Sequence, residues 1–196
     1  MSSDKRGTVT QCGNILFAEN ALVENVFTPM GETSHLLISY NVIGSNTMTF
    51  IELLRLNINS NTVLLDSFGS SICICEIQKG MLIDAIFSPV MTRSIPPQSN
   101  AFLIVLQTDS RFRLNSVAHQ IVMVDIDNNL LYTKDPDNLD SEIIFTISDR
   151  TSIRDTTGFP ISIQSLTPGQ TVKIIHANFQ TTSIPPQTAA FYIQLL

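Results

Sequence analysis

Cys73 and Cys75 flank Ile74 in the run Ser71-Ile72-Cys73-Ile74-Cys75-Glu76, and Cys12 is the only other cysteine. Read as a strand, this run puts both thiols on one face and Ile72 and Ile74 on the other. Their Cα atoms would then lie roughly 6.5–7 Å apart, at or beyond disulfide reach, so each would need a partner elsewhere. Three readings stay open: free thiols, a cross-link from Cys12 to Cys73 or Cys75 within or between chains, and a zinc site short of a ligand. His35, His119 and His176 stand apart from one another and from every cysteine, with no metal-binding spacing, and read as structural. Asp125, Asp127, Asp135, Asp137, Asp140, Glu142 and Asp149 crowd one stretch with Lys134 as its only base. A calcium loop starting at Asp125 would need Gly where Leu130 stands and Glu where Pro136 stands, so an acidic solvated loop is expected. No nucleophile elbow, phosphate-binding loop or dinucleotide fingerprint occurs. The expectation is a protein without catalytic residues, metal or cofactor.

These residues are positioned by a repeat. At an offset of 89, residues 54–106 lie over 143–195 with 18 identities in 53 positions and no gap. The strongest block is Thr92-Arg93-Ser94-Ile95-Pro96-Pro97-Gln98 over Thr181-Thr182-Ser183-Ile184-Pro185-Pro186-Gln187. Asp66 and Gly69 fall on Asp155 and Gly158, and Gly80 falls on Gly169. Turn and core residues recur together, so the chain reads as a duplication of one supersecondary unit.

Each unit reads as β. Short β-branched runs (Ile143 to Ile147, Val172 to Ile175, and Val122, Val124 and Ile126 in alternation) are separated by Asp- and Gly-bearing turns. Thr167-Pro168-Gly169-Gln170 has type II turn chemistry. Ile51 to Leu56 is assigned to a strand, because its repeat partner runs into a β-branched stretch. Leu36 to Ile43 and Thr47 to Phe50 give the first unit a front half without a match in the second. The fold expected is all-β: two tandem small β-barrel or sandwich-like units. An N-terminal extension over 1–13 precedes an elaborated unit over 14–108 and a second over 109–196. The Pro-Pro-Gln segments could serve as polyproline ligands. Their place just before the last strand favours a stiff lead-in that sets register.

Of the 196 residues, 43% are hydrophobic and 14% charged, with net charge −6. That excludes a disordered chain and argues against nucleic acid as a partner. No apolar run reaches the ~18 residues of a membrane helix, so no membrane partner is expected. Met1 to Arg6 is followed by no apolar signal core, so synthesis in the cytosol without a signal peptide is expected. Low charge also leaves a neutral surface suited to contact with other copies.

The Thr-x-Ser-Ile-Pro-Pro-Gln-x-x-Ala-Phe-x-Ile core, with Gly7-Thr8-Val9-Thr10 at the front, resembles a repeated small β-domain of clostridial proteins, an uncharacterised barrel-like family. The resemblance covers 54–106 and 143–195 and implies a fold without catalytic residues. In layout alone, a short polar tail, Cys12 and later strand cysteines resemble endospore appendage subunits. That likeness implies a self-assembling subunit of a filament, appendage or spore-surface layer, put together inside a mother cell, whose extension contacts its neighbour. The alternative is a non-catalytic module that binds a peptide, glycan or protein. Both remain expectations.

Overall fold

The computed structural model describes residues 5–30, 33–45, 48–107 and 114–196, with the side chains of 139 and 140 excepted. The chain forms two compact units, Met1–Arg111 and Phe112–Leu196. The boundary expected after residue 108 falls in the segment 108–113, outside the described residues. Among the described residues, no helix is long and apolar enough to cross a membrane.

The first unit contains β1 (Val9–Cys12), β2 (Ile15–Phe27), β3 (Ser34–Ile43), β4 (Thr49–Ile58), β5 (Val63–Asp66), β6 (Leu82–Phe87) and β7 (Gln98–Gln107). β2 pairs with β3, β3 with β4, β4 in parallel with β7, β7 with β6, and β6 with β2. The ring therefore closes, and a closed ring removes the sheet edges that otherwise invite aggregation. Ala18, Val23, Leu36, Ile38, Leu54, Leu56, Ile83, Phe87 and Ile104 fill its interior.

The second unit repeats this ring with β8 (Asn115–Asp125), β9 (Leu130–Asp135), β10 (Asn138–Thr146), β12 (Thr171–His176) and β13 (Gln187–Leu195); β11 (Ser152–Arg154) runs beside β13 as β5 runs beside β7. Registers repeat along with topology. Arg55 stands opposite Gln98 and Ile144 opposite Gln187, and both last hairpins shift register at the matching place. All-β architecture in two tandem units, the expectation from the repeat, is what the structure contains.

Two expectations are corrected. The front halves match after all. Val23 exchanges two backbone bonds with the Gly80 turn, and Ile121 exchanges the same two with the Gly169 turn. These residues stand 98 apart in sequence, not 89, so different loop lengths hid the match from an ungapped alignment. The segment read as an N-terminal extension, residues 1–13, is joined to the first barrel from Arg6 onward. Gly13 and Asn14 turn β1 back along β2, Gly13 taking the positive φ of 58° that such a turn requires. Asn41 N–H donates to the Gly7 carbonyl at 2.8 Å, extending the zipper to β3.

Candidate functional site

Cys73 and Cys75 do not lie on a strand. Ile74–Glu76 is a short 3-10 turn with Cys73 as its N-cap. Cys73 Sγ accepts the Cys75 N–H at 3.2 Å, and the Glu76 carboxylate accepts the Cys73 N–H at 2.8 Å. The second unit makes the same turn at Ile163–Ser165, although Ile161-Ser162-Ile163 also reads as strand. Three alternating residues carry too little periodicity to separate a strand from a tight turn whose i and i+3 side chains face the core. Here that face is Ile77 and Leu166, both buried. The strand spacing that argued against a Cys73–Cys75 bridge does not apply. All three thiols are free; Cys73 and Cys75 are exposed and Cys12 is partly covered.

The Ser-Ile-Pro-Pro-Gln segments are hydroxyl-locked loops. Thr92 Oγ1 and Ser94 Oγ lie 2.7 Å apart, and Ser94 Oγ donates to the Pro96 carbonyl at 2.8 Å. Gln98 N–H donates to Thr92 Oγ1 at 3.0 Å. Thr181, Ser183, Pro185 and Gln187 repeat this set at 2.7, 2.8 and 2.8 Å. The Pro97 and Pro186 carbonyls then accept the amides of Arg55 and Ile144, fastening the last strand to β4 and β10. Thr181→Val keeps the shape and removes the hydroxyl. It should destabilise the second barrel by about 1–2 kcal/mol, read as a lowered thermal midpoint, as a lost bond to a half-covered amide does. Ile95 and Ile184, at the loop tips, are 100% and 98% exposed, so folding makes no use of either side chain.

One recess draws on β2, β3, β4 and the first of these loops. It has a volume of about 180 Å³ and is lined by Phe27, His35, Leu37, Arg55 and Pro96. Leu54 and Leu56 point into the barrel, so strand alternation turns Arg55 outward. Opposite it stands Leu37, and His35 stands opposite Phe27. The Phe27 and His35 rings stack at 4.5 Å and 17°. Arg55 Nη2 lies 2.9 Å from His35 Nδ1, and because a guanidinium only donates, Nδ1 accepts and the imidazole proton sits on Nε2. Arg55 Nε is buried without a hydrogen-bond partner. Nearby on the same strands, Arg6 reaches Glu24 at 3.0 Å and Ser39 Oγ at 2.7 Å. Bonds from Ser39 and then Arg6 hold the Glu24 carboxyl below its ordinary range. The repeat held a signal for the recess, since Arg55 aligns with Ile144, a cation at an apolar position.

His119 and His176 are core residues of the second barrel, as the structural reading expects. His119 Nδ1 lies 2.9 Å from Thr133 Oγ1, and His176 Nδ1 lies 2.8 Å from the Ala177 carbonyl. The Asp125 loop is a turn: Asp125 accepts the Asn128 N–H at 3.1 Å and its amide Nδ2 at 2.8 Å. No cluster of three or more metal-ligating side chains occurs among the described residues.

The two barrels differ most at one edge. β7 covers β4 only over Arg55–Asn57, and among the described residues no strand pairs with the outer side of Thr49–Leu54. There the β3–β4 ladder runs ten residues without a register shift. It carries exposed Ile43, Met48, Phe50, Ile51 and Leu53. Glu52, the one charge within Thr49–Leu54, accepts the Tyr40 hydroxyl at 3.2 Å. Burial, and next the Glu52 charge, push that phenol up to about 12. The matching edge of β10, Asn138–Ile143, is as long but shifts register between Asn138 and Glu142 and carries the Glu142 carboxylate. Charge and irregularity are how sheet edges are ordinarily guarded. The first barrel has the Glu52 charge there but no irregularity. No protein-family model and no curated protein matches this chain.

Proposed function

We propose that the protein is a structural, self-assembling subunit, joined to a second copy through the open edge of β4. The observation that carries this reading is the regular, apolar edge at Thr49–Leu54. The N–H of Arg55 faces the β7 side, so the backbone groups of Leu53 and Ile51 point outward in the same direction. A second strand laid along them would satisfy these groups and cover Ile51 and Leu53, which are 55% and 43% exposed. The second barrel supplies the contrast, because the same edge there is broken by a register shift. The low overall charge supports the reading, and the assembly proposed is a filament, appendage or spore-surface layer. From Arg6 onward the N-terminal segment is held by its own barrel, so the neighbour contact is assigned to β4 instead. Exposed Cys73 and Cys75 are open to a cross-link with the Cys12 thiol of a neighbouring copy.

Ile51→Lys with Leu53→Lys restores an edge guard at exposed positions and leaves the interior residues Leu54 and Leu56 alone. The native chain should elute as oligomers by light scattering and form regular assemblies in electron micrographs, and the double variant should be monomeric. A monomeric native chain, or an unchanged size distribution in the variant, overturns the proposal. Dispersed monomers favour the second reading, a non-catalytic binding module, which the Arg55 recess supports.

A further inference from the structure

We infer that the Phe27–His35–Arg55–Pro96 recess is a receptor for a carboxylate carried on a flat apolar body. Its guanidinium is the starting point. Arg55 makes one side-chain contact, to His35, and forms no ion pair among the described residues. Its Nε–H is buried with no acceptor. An unmade hydrogen bond at a buried donor is among the larger penalties a fold carries, and more so when the donor is charged. Folding gains nothing evident from bearing it. The second barrel closes the same ring with Ile144 in place of Arg55 and Leu130 in place of His35, at matching registers. The duplicate is thus an internal control: the barrel does not need a cation there, and the first copy has one.

The surroundings fit a carboxylate in particular. His35 accepts from Nη2 and stacks on the Phe27 ring, so the guanidinium that lines the recess is held in place. A held guanidinium matches the two-oxygen fork of a carboxylate. Leu37, Phe27 and Pro96 offer the ligand's body apolar and aromatic surface beside the charge. At about 180 Å³ the recess suits a small aromatic acid, or the last residue of a peptide with its terminal carboxylate. Self-assembly is a separate matter, since the recess is complete within one chain.

The test uses the full chain, with benzoate as the small-acid probe and benzamide as its neutral counterpart. Backbone and side-chain resonances are followed by NMR during titration. Benzoate should give saturable shifts centred on Phe27, His35, Leu37 and the Arg55 Nε–H, and benzamide should not. Arg55→Met should abolish the response, and Arg55→Lys, which keeps charge but not the fork, should weaken it at least about tenfold. An unchanged spectrum elsewhere establishes that both variants fold. A peptide ending in Phe with a free carboxylate, run against its amide, identifies the source. Tighter binding of the acid peptide than of benzoate assigns a chain terminus, and the reverse assigns a free acid. Equal response to benzoate and benzamide, persistence in Arg55→Met, or no saturable shift with either carboxylate overturns the inference.

Discussion

Acidification through the ordinary histidine range, near 6.5, destabilises the second barrel well before any carboxylate titrates. His119 and His176 are 6% and 1% exposed and flank Phe145, with ring centroids 6.5 and 5.2 Å from it. Burial lowers the pKa of both. For His119 the Asp135 charge pulls the other way; for His176 the Ala177 carbonyl pulls the other way and His119 adds to the lowering. Both are therefore neutral in the folded state at a pH where the unfolded chain already binds protons. The contribution of the neutral rings is complete above 6.5. It declines as pH falls from the unfolded value towards the lowered folded ones, by about 1.4 kcal/mol per pH unit for each histidine. The first barrel has no histidine at these two core positions, where Phe87 and Ala21 stand. Hydrogen exchange followed peptide by peptide should show protection in β8, β12 and β13 falling with pH, while β2, β6 and β7 keep theirs. His176→Leu should remove close to half of the dependence, and Thr188 Oγ1 would still donate to the Ala177 carbonyl, at 3.3 Å. A second barrel whose stability is flat down to the carboxylate range contradicts this account.

Phe145→Ala should be the most damaging single truncation in the second barrel. Phe145 is fully buried on β10 between the two imidazoles, and it belongs to a core of Ile121, Leu131, Val172, Ile174 and Ile193. Its ring is held from opposite strands of a closed barrel, which leaves little room to collapse around a void. The expected loss is about 3–5 kcal/mol, a large part of what a barrel of this size possesses. Phe145→Leu, which installs the residue found at the matching Leu56, should cost clearly less. Denaturant unfolding read on the buried Tyr192 measures both. Equal losses for Ala and Leu would mean that ring volume is not what this position contributes.

The repeat made much of this fold legible. Asp66 and Gly69 recur as Asp155 and Gly158, and in both turns the Asp carboxylate accepts two backbone amides while the Gly takes a positive φ. Such turns are decided within five residues, so reading them needs nothing distant. The Thr-x-Ser-Ile-Pro-Pro-Gln loops were legible for the same reason: their hydroxyl locks close within the motif. The cysteine turn was not, because Ile-Cys-Ile-Cys satisfies a two-residue period and a 3-10 turn equally well. What separates the two is whether Ile77 reaches the barrel interior. The Arg55 recess was harder still. Its residues come from positions 27, 35, 37, 55 and 96, which share no local pattern.

The amino-acid sequence by itself determined the all-β class, the duplication and the places of the turns, since these follow from strand periodicity and from Gly, Pro and Asp chemistry acting over a few residues. The tertiary structure alone decided which edge stays open and which cation stays unpaired. β4 outruns the three residues of β7 that cover it, so Thr49–Leu54 remains exposed. Arg55 meets His35 because β3 and β4 pair in one register out of several that the sequence permits. Both outcomes depend on contacts between distant strands, where closure of the ring, and not local preference, selects the neighbours.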